Sequence, residues 1–453
     1  MRTDCRGLDV TSDSVEAVAA MDEAVRAFLR HGRDGVAHLD TALAHDPELL
    51  LGHVTRGLWQ TLLGRRAALA AARGSLARAQ ASAIARGTTA REAWLMSALG
   101  RAIEDDFTGA IVALEESAGM CPHDPLALKT IHIMRFMLGD RQGMRQSTAR
   151  ALLAWEEGMP DHGYLLGCHA FGLEETGEVE AAERTGRQAV EREPEDAWGF
   201  HAVAHVMEVT GRPEEGVRWL ERHEPALARA NNFAFHVFWH RALFHLSLGE
   251  TARVLALYDD HVRAERTDDF RDIANAASLL WRLQALGVEV GERWRELADL
   301  AEAHLGDHAY GFADAHYLLA LVGDGRQATA ERFCASAEAA AGAGHGDQAR
   351  IWRLVGRHVA EAITAYGAGD DDRVARAALA IGDQLQRLGG SHVQRDVFDI
   401  VLAGSAARAG KQGLCRQLLS ARHRRRGADL FGSRFARRAD LSADGKGLEA
   451  AAL

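Results

Sequence analysis

Turn residues recur along this chain at a step that fits one pair of helices. That recurrence constrains the fold more than any other feature. Single turn signals separate helical stretches at Gly64, Asp105, Gly139, Gly177, Gly211, Gly249, Gly287 and Gly323. The steps from 105 to 139 and from 177 to 211 are 34 residues, and those from 139 to 177, 211 to 249 and 249 to 287 are 38. A second ruler agrees: Pro122 and Pro194 each follow a turn by 17 positions, and Pro160 follows Gly139 four positions late, in a 38-residue step. Proline suits a helix start because its missing N–H is not needed there.

Thirty-four residues is the period of the tetratricopeptide repeat (TPR), two antiparallel helices per unit. The 38-residue steps read as the same unit with longer loops. Tyr164 to Pro194 is the clearest unit, with its turn at Thr176-Gly177-Glu178 and small residues Ala181, Ala182, Gly186 and Ala189 that allow close helix approach. One hairpin buries too little, so the units must stack. The expected fold is therefore all-α: a right-handed TPR-like α-solenoid. Residues 1–45 read as N-terminal capping helices, 46–430 as one continuous solenoid and 431–453 as a C-terminal tail, small and polar from about Leu441. Beyond about residue 330 the period blurs, although Gly410 again separates two helical stretches.

Composition fits. Charged residues are 26% and apolar residues 47%, which excludes a disordered or fibrous chain. Runs of alternating β-formers are absent, and good helix formers punctuated by single glycines dominate. No window reaches a membrane-spanning length of apolar residues. The N-terminus shows no secretory signal. The five cysteines form no CxxC pair and read as reduced thiols of a cytoplasmic protein. A net charge of −11 argues against a chain built to coat nucleic acid.

The histidines carry the functional signal. Residues 162 to 245 hold eight of the 22, about twice an even share. With the inter-helix Gly set as TPR position 15, His201, His205 and Glu208 take positions 5, 9 and 12 of one repeat. His236 and His240 take positions 2 and 6 of the next. First-helix positions 2, 5, 6, 9, 12 and 13 line the concave groove, and 5 and 9 of one repeat face 2 and 6 of the next. One HxxxH pair is thus expected opposite another, and residues four apart share a helix face. The preceding repeat places Tyr164, Cys168, Phe171, Glu174 and Glu175 at groove positions. Trp198, Phe200, Phe238 and Trp239 lie close to these histidines in sequence. The repeat around Gly323 places Tyr310, Asp314 and Tyr317 there, with His316 one position aside.

Such imidazole pairs are candidate ligands for zinc or another divalent metal, with Glu208 or Glu175 as ligand, general base or orienting group. Without metal they are candidate acid–base groups. The alternative is that they contact a polar peptide or pack against aromatic rings. His169 reads as an inward-packed core residue, and His162 and His245 as surface or loop residues. Gly323 to Ala328 matches GxGxxA but follows a helix, so it reads as a helix–helix turn. The run Gly389 to Asp396 places His392, Arg395 and Asp396 at a helix start, either as capping and a buried ion pair or as a polar site. The stretch 411–438 carries nine Lys/Arg against Asp429 alone. With Phe431 and Phe435 its only aromatics, it reads as a solvated or internally paired face rather than a nucleic-acid surface.

The segments AFGLEETGEVEAAERTGRQAVEREPEDAWGFHAVAHVMEVTGRPEEGVRWL (170–220), HVFWHRALFHLSLGE (236–250), AASLLWRL (276–283) and GGSHVQRDVF (389–398) resemble the tetratricopeptide repeat protein 38 family. So does the opening MDEAVRAFLRHGRDGVAHLDTALAHDPELLLGH (21–53). The resemblance spans nearly the whole chain. It implies one TPR-type solenoid without an appended catalytic domain, and it carries no mechanism. The family strings HAVAHVxE and HxxWH fall on His201, His205, Glu208, His236 and His240. High Ala and Arg usage suggests a GC-rich bacterial genome. Two functions follow as expectations: a groove that binds a small polar molecule or peptide segment, or an enzyme that uses the same histidines, in a specialised-metabolite pathway. The His/Glu/aromatic lining favours a small molecule. The expectation extends to Asp314, His392, Arg395 and Asp396 closing over the histidines.

Overall fold

The computed structural model describes residues 1–426 and 430–443. Their regular structure is helical, as the composition requires, apart from a short antiparallel pairing of Arg2–Thr3 with Asp9–Val10. They divide into two units: Met1–Val206 with Arg222–Ala234, and Met207–Glu221 with the residues from Phe235 onward. The outermost residues assigned to the tail, from 444, lie outside the described ones.

The first unit runs as successive antiparallel helix pairs. Val15–Arg30 pairs with Gly35–His45, Leu50–Thr61 with Arg66–Arg86, and Ala90–Ile103 with Phe107–Met120. Pro125–Met137 is followed by Arg141–Leu152, and His162–Glu175 by Val179–Arg192. Polar caps set several starts: Thr89 makes a reciprocal capping box with Glu92, and the Asp124 carboxylate accepts from the N–H groups of Leu126 and Ala127, with Pro125 at the first helical position. Close approach depends on small residues. A Cβ on Gly186 would stand 2.7 Å from Val203, and one on Gly172 would stand 3.0 Å from the Arg145 backbone.

The second unit continues the pattern with Phe270–Ala285 and Arg293–Ala303, then Gly311–Gly323 and Gln327–Ala343. After them come Arg357–Gly367 with Asp371–Ile381, and His392–Arg408 with Gln412–Arg426. A last helix occupies Leu430–Ala443. The helix containing Arg357 is preceded by a π-helical stretch, Trp352–Gly356, whose wider turns help blur the period there.

The turn residues behave as their spacing requires. Gly64, Gly139, Gly177, Gly211, Gly249 and Gly287 have positive φ, and Asp105 adopts the same left-handed conformation at φ 60°. One turn falls elsewhere: Gly325, at φ 73°, reverses the chain, while Gly323 ends the helix before it. Gly323 is needed for packing, since a Cβ there would meet the Trp294 ring at 2.6 Å. This correction moves the groove register of that repeat by two. Phe312, His316 and Leu319 then take positions 2, 6 and 9, in place of Tyr310, Asp314 and Tyr317. Gly369 and Gly410 carry the positive-φ turns onward through the region where the period blurs.

Candidate metal and ligand site

In the first unit the site is built on helix Ala197–Val209. Asp196 holds its start by accepting from the Trp198 N–H at 3.1 Å. The four-residue spacing then stacks His201 and His205 on one face, both buried, with Nε2 atoms 3.1 Å apart. Behind His205, the Glu174 carboxylate lies 3.3 Å from Nδ1. Glu174, Glu175 and His205 each offer a metal-ligating atom within 4.8 Å of the others. Rings wall the pair: Phe171 stacks on His201 at 5.7 Å, Trp198 lies 5.1 Å from it and Phe233 5.2 Å. His31, from the turn after the first helix, stacks on Phe233 at 4.4 Å.

The second unit repeats the motif. On helix Phe233–Leu248, His236 and His240 set their Nε2 atoms 3.2 Å apart. His240 Nδ1 lies 3.1 Å from the Glu208 carboxylate, and His236 Nδ1 lies 2.9 Å from the Asn275 side-chain oxygen. Both outer nitrogens face oxygen atoms; with Nδ1 the protonated nitrogen of each ring, each Nε2 would carry a lone pair. Two buried lone pairs meeting at that distance repel unless a proton or a cation lies between them. A zinc ion with Zn–N bonds of about 2.0–2.1 Å in tetrahedral geometry separates its nitrogens by roughly 3.3 Å. A carboxylate on the far nitrogen of each ligating imidazole is the usual outer support of such a centre. Turning the Asn275 amide would instead let His236 donate through Nε2 to His240, a plain hydrogen bond. Metal binding separates the two arrangements.

The remaining sequence-derived residues are placed as follows. Tyr164 is buried, and burial raises the pKa of its phenol. Cys168 is buried, with its thiol pushed up to about 11 by desolvation, and it accepts from Lys129 Nζ at 3.8 Å. Trp239 donates to Ser278 Oγ at 3.1 Å and stacks on His236. Arg282 lies over the Trp239 ring and 3.5 Å from Asp396, which also accepts two bonds from Arg422. Asp396 therefore joins a buried ion-pair network one residue away from the His236 ring partner. Arg395 donates to the Gly389 and Gly390 carbonyls. His392 opens the helix His392–Arg408 that Ser391 caps. Asp314 faces His308 Nδ1 at 3.3 Å, and Tyr317 stacks on His304. His169 Nδ1 bonds Thr148 Oγ1 at 2.9 Å. His245, expected at the surface or in a loop, is buried with its Nδ1 2.6 Å from the Glu250 carboxylate, because the chain turns back at Gly249.

Four residues escaped the sequence reading. Lys129 falls at groove position 5 of its own repeat when Gly139 is position 15, the same position as His201, so extending the register one unit back finds it. Asn275 and His132 lie at positions 3 and 8, off the groove set. Asp196 precedes position 1 and reads only as a cap.

No protein-family model matches the chain. Among solved structures, it is similar to Naa15/Naa10 bound to HypK-THB, at 13% identity over 96% of this chain and 67% of that one, with a TM-score of 0.25. It is also similar to yeast Tom70, at 12% identity over 95% of each chain, with a TM-score of 0.36. Likenesses this distant say nothing about the site. Among the described residues no helix is long and apolar enough to cross a membrane. By its own helix pairs and turn period, the chain has a TPR-like helical-repeat fold.

Proposed function

We propose that this chain binds a small polar molecule at a divalent metal ion, zinc being the first candidate, held by His201, His205, His236 and His240. One observation carries the reading: in His236–His240, both Nδ1 atoms face side-chain oxygens while the two Nε2 atoms meet at 3.2 Å, the spacing of two ligands on one ion. His201–His205 repeats the Nε2 spacing, with Glu174 behind His205. The repeat register read from the sequence sets the two pairs on facing groove positions, and the proposal is that they serve one ion. Trp198, Trp239, Tyr164 and Cys168 would border the bound molecule, with His392, Arg395 and Asp396 as the outer contacts; Asp314 and Tyr317, displaced from the groove positions by the turn at Gly325, drop out of the set. The same strings of sequence motivate membership of the tetratricopeptide repeat protein 38 family.

A second reading has its own observation. Glu174 and Glu175 beside His205 give the site carboxylates able to take a proton from a metal-bound water, which is an enzyme's arrangement. The test is titration of chelator-stripped protein with Co(II), followed by its visible absorption. The proposal expects saturable bands of a nitrogen-rich, low-symmetry site that disappear in H236A/H240A. A spectrum no different from Co(II) in buffer would refute it.

A further inference from the structure

Beside His201, on the side towards the preceding repeat, lies a second polar cluster with an unusual composition. Lys129 is buried, with 3% of its surface exposed. Its ammonium stands 4.6 Å over the Trp198 ring and 3.8 Å from Cys168 Sγ, and among the described residues it forms no ion pair with a carboxylate. A buried cation without an anionic partner is costly. Its neighbours are also unsatisfied. Trp198 Nε1, both ring nitrogens of His132 and Asp196 Oδ2 are buried with no hydrogen-bond partner among the described residues. His132 meets Trp198 edge-on at 5.5 Å, and Phe171 lies 4.7 Å from the same ring. Native interiors leave few such groups unpaired, and a cluster of them calls for an explanation.

The chemistry of the set is specific. Lys129, Trp198 Nε1–H and a neutral His132 supply donors, with one positive charge among them. Below about pH 7 the nearby acid does not cancel that charge, because burial pushes the Asp196 carboxyl up to about 7. His132 is held neutral, its pKa lowered by burial and by Lys129. One cation with two neutral donors balances a monoanion with two oxygens. A phosphate, carrying more than one negative charge at pH 7, would be left only partly compensated. Phe171, Met144 and Phe136 add apolar walls around Trp198.

We propose that Lys129, Trp198 and His132 form a carboxylate-binding subsite, and that the small molecule taken by this groove is a carboxylic acid with a flat apolar body. The proposal deepens the ligand-binding reading above, but it does not depend on the metal. Stability of the full-length protein is followed by thermal unfolding with sodium benzoate or propionate, against sodium phosphate and chloride at equal ionic strength. Each series is run with and without a chelator. The expected result is a Tm that climbs with carboxylate concentration and not with phosphate, in both metal states. K129R should retain the response. K129M should weaken benzoate binding by about 10–100-fold, the loss of one charge-assisted contact. An equal rise in wild type and K129M, no rise with any carboxylate, or a preference for phosphate would each overturn the assignment. A response abolished by the chelator and kept in K129M would place the carboxylate on the metal instead, overturning this proposal while leaving the metal reading intact.

Discussion

Replacing Glu208 by Gln removes a charge and little else. The side chain keeps its shape, and its amide oxygen can still accept from His240 Nδ1–H. The carboxylate oxygen lies 3.1 Å from Nδ1, with both side chains buried. Adding roughly 2 Å across the ring and a metal–nitrogen bond of about 2.0 Å puts the charge roughly 6–7 Å from the proposed ion. At an effective dielectric constant near 20, its attraction for a dication is about 5 kcal/mol, an upper bound because the Gln dipole recovers part of it. Removal of such outer carboxylates generally costs 10–100-fold in metal affinity, about 1.4–2.7 kcal/mol. E208Q should therefore weaken zinc binding by about 10–100-fold in a competition titration against a chromophoric chelator. E221Q, which alters a pair with Arg241 on an exposed carboxylate, should leave it unchanged. Equal affinities for E208Q and wild type would refute the claim that Glu208 orients and polarises a metal-ligating imidazole.

Two further outcomes test the packing and the electrostatics. Asp196 keeps its proton in the folded chain up to about pH 7 and releases it near 3.8 when unfolded, so its contribution is full below about pH 4 and is lost as pH rises through 7. Asn also caps a helix. D196N should thus gain stability over wild type between those pH values, by at most about 4 kcal/mol, in urea unfolding across that range; a difference independent of pH would contradict it. G172A must place a methyl 3.0 Å from the Arg145 backbone, and the strain of about 1–3 kcal/mol should outweigh the roughly 1 kcal/mol gained in helix propensity. Its Tm should fall by a few degrees, and a rise would show that the two helices separate freely.

The fold was legible because turn chemistry and helix length repeat together, so a period read at Gly139, Gly177 and Gly211 fixes the pairs without knowledge of the core. It failed where two glycines compete. In Gly323-Asp-Gly325 the first is demanded by the Trp294 ring and the second by backbone conformation, and only coordinates tell these demands apart. The histidine pairs were legible because an i, i+4 spacing dictates a shared face. The groups behind them were not. Glu208 is on the same helix as His201, but Asn275 reaches His236 from 39 residues away, a contact set by helix stacking rather than by spacing. His31 and Phe233 meet through the turn after the first helix, which no periodicity marks. Lys129 stands at groove position 5 of its repeat, but a lone lysine on a helix ordinarily marks an exposed face, so only its burial gives it away.

Elemental analysis of the purified, untagged chain addresses the central claim most directly, beside the double variants H201A/H205A and H236A/H240A. The account predicts about one equivalent of zinc or another divalent metal per chain, lost from both variants while each retains its helical circular dichroism. A metal-free wild type that also fails to take up zinc after chelator treatment would contradict it.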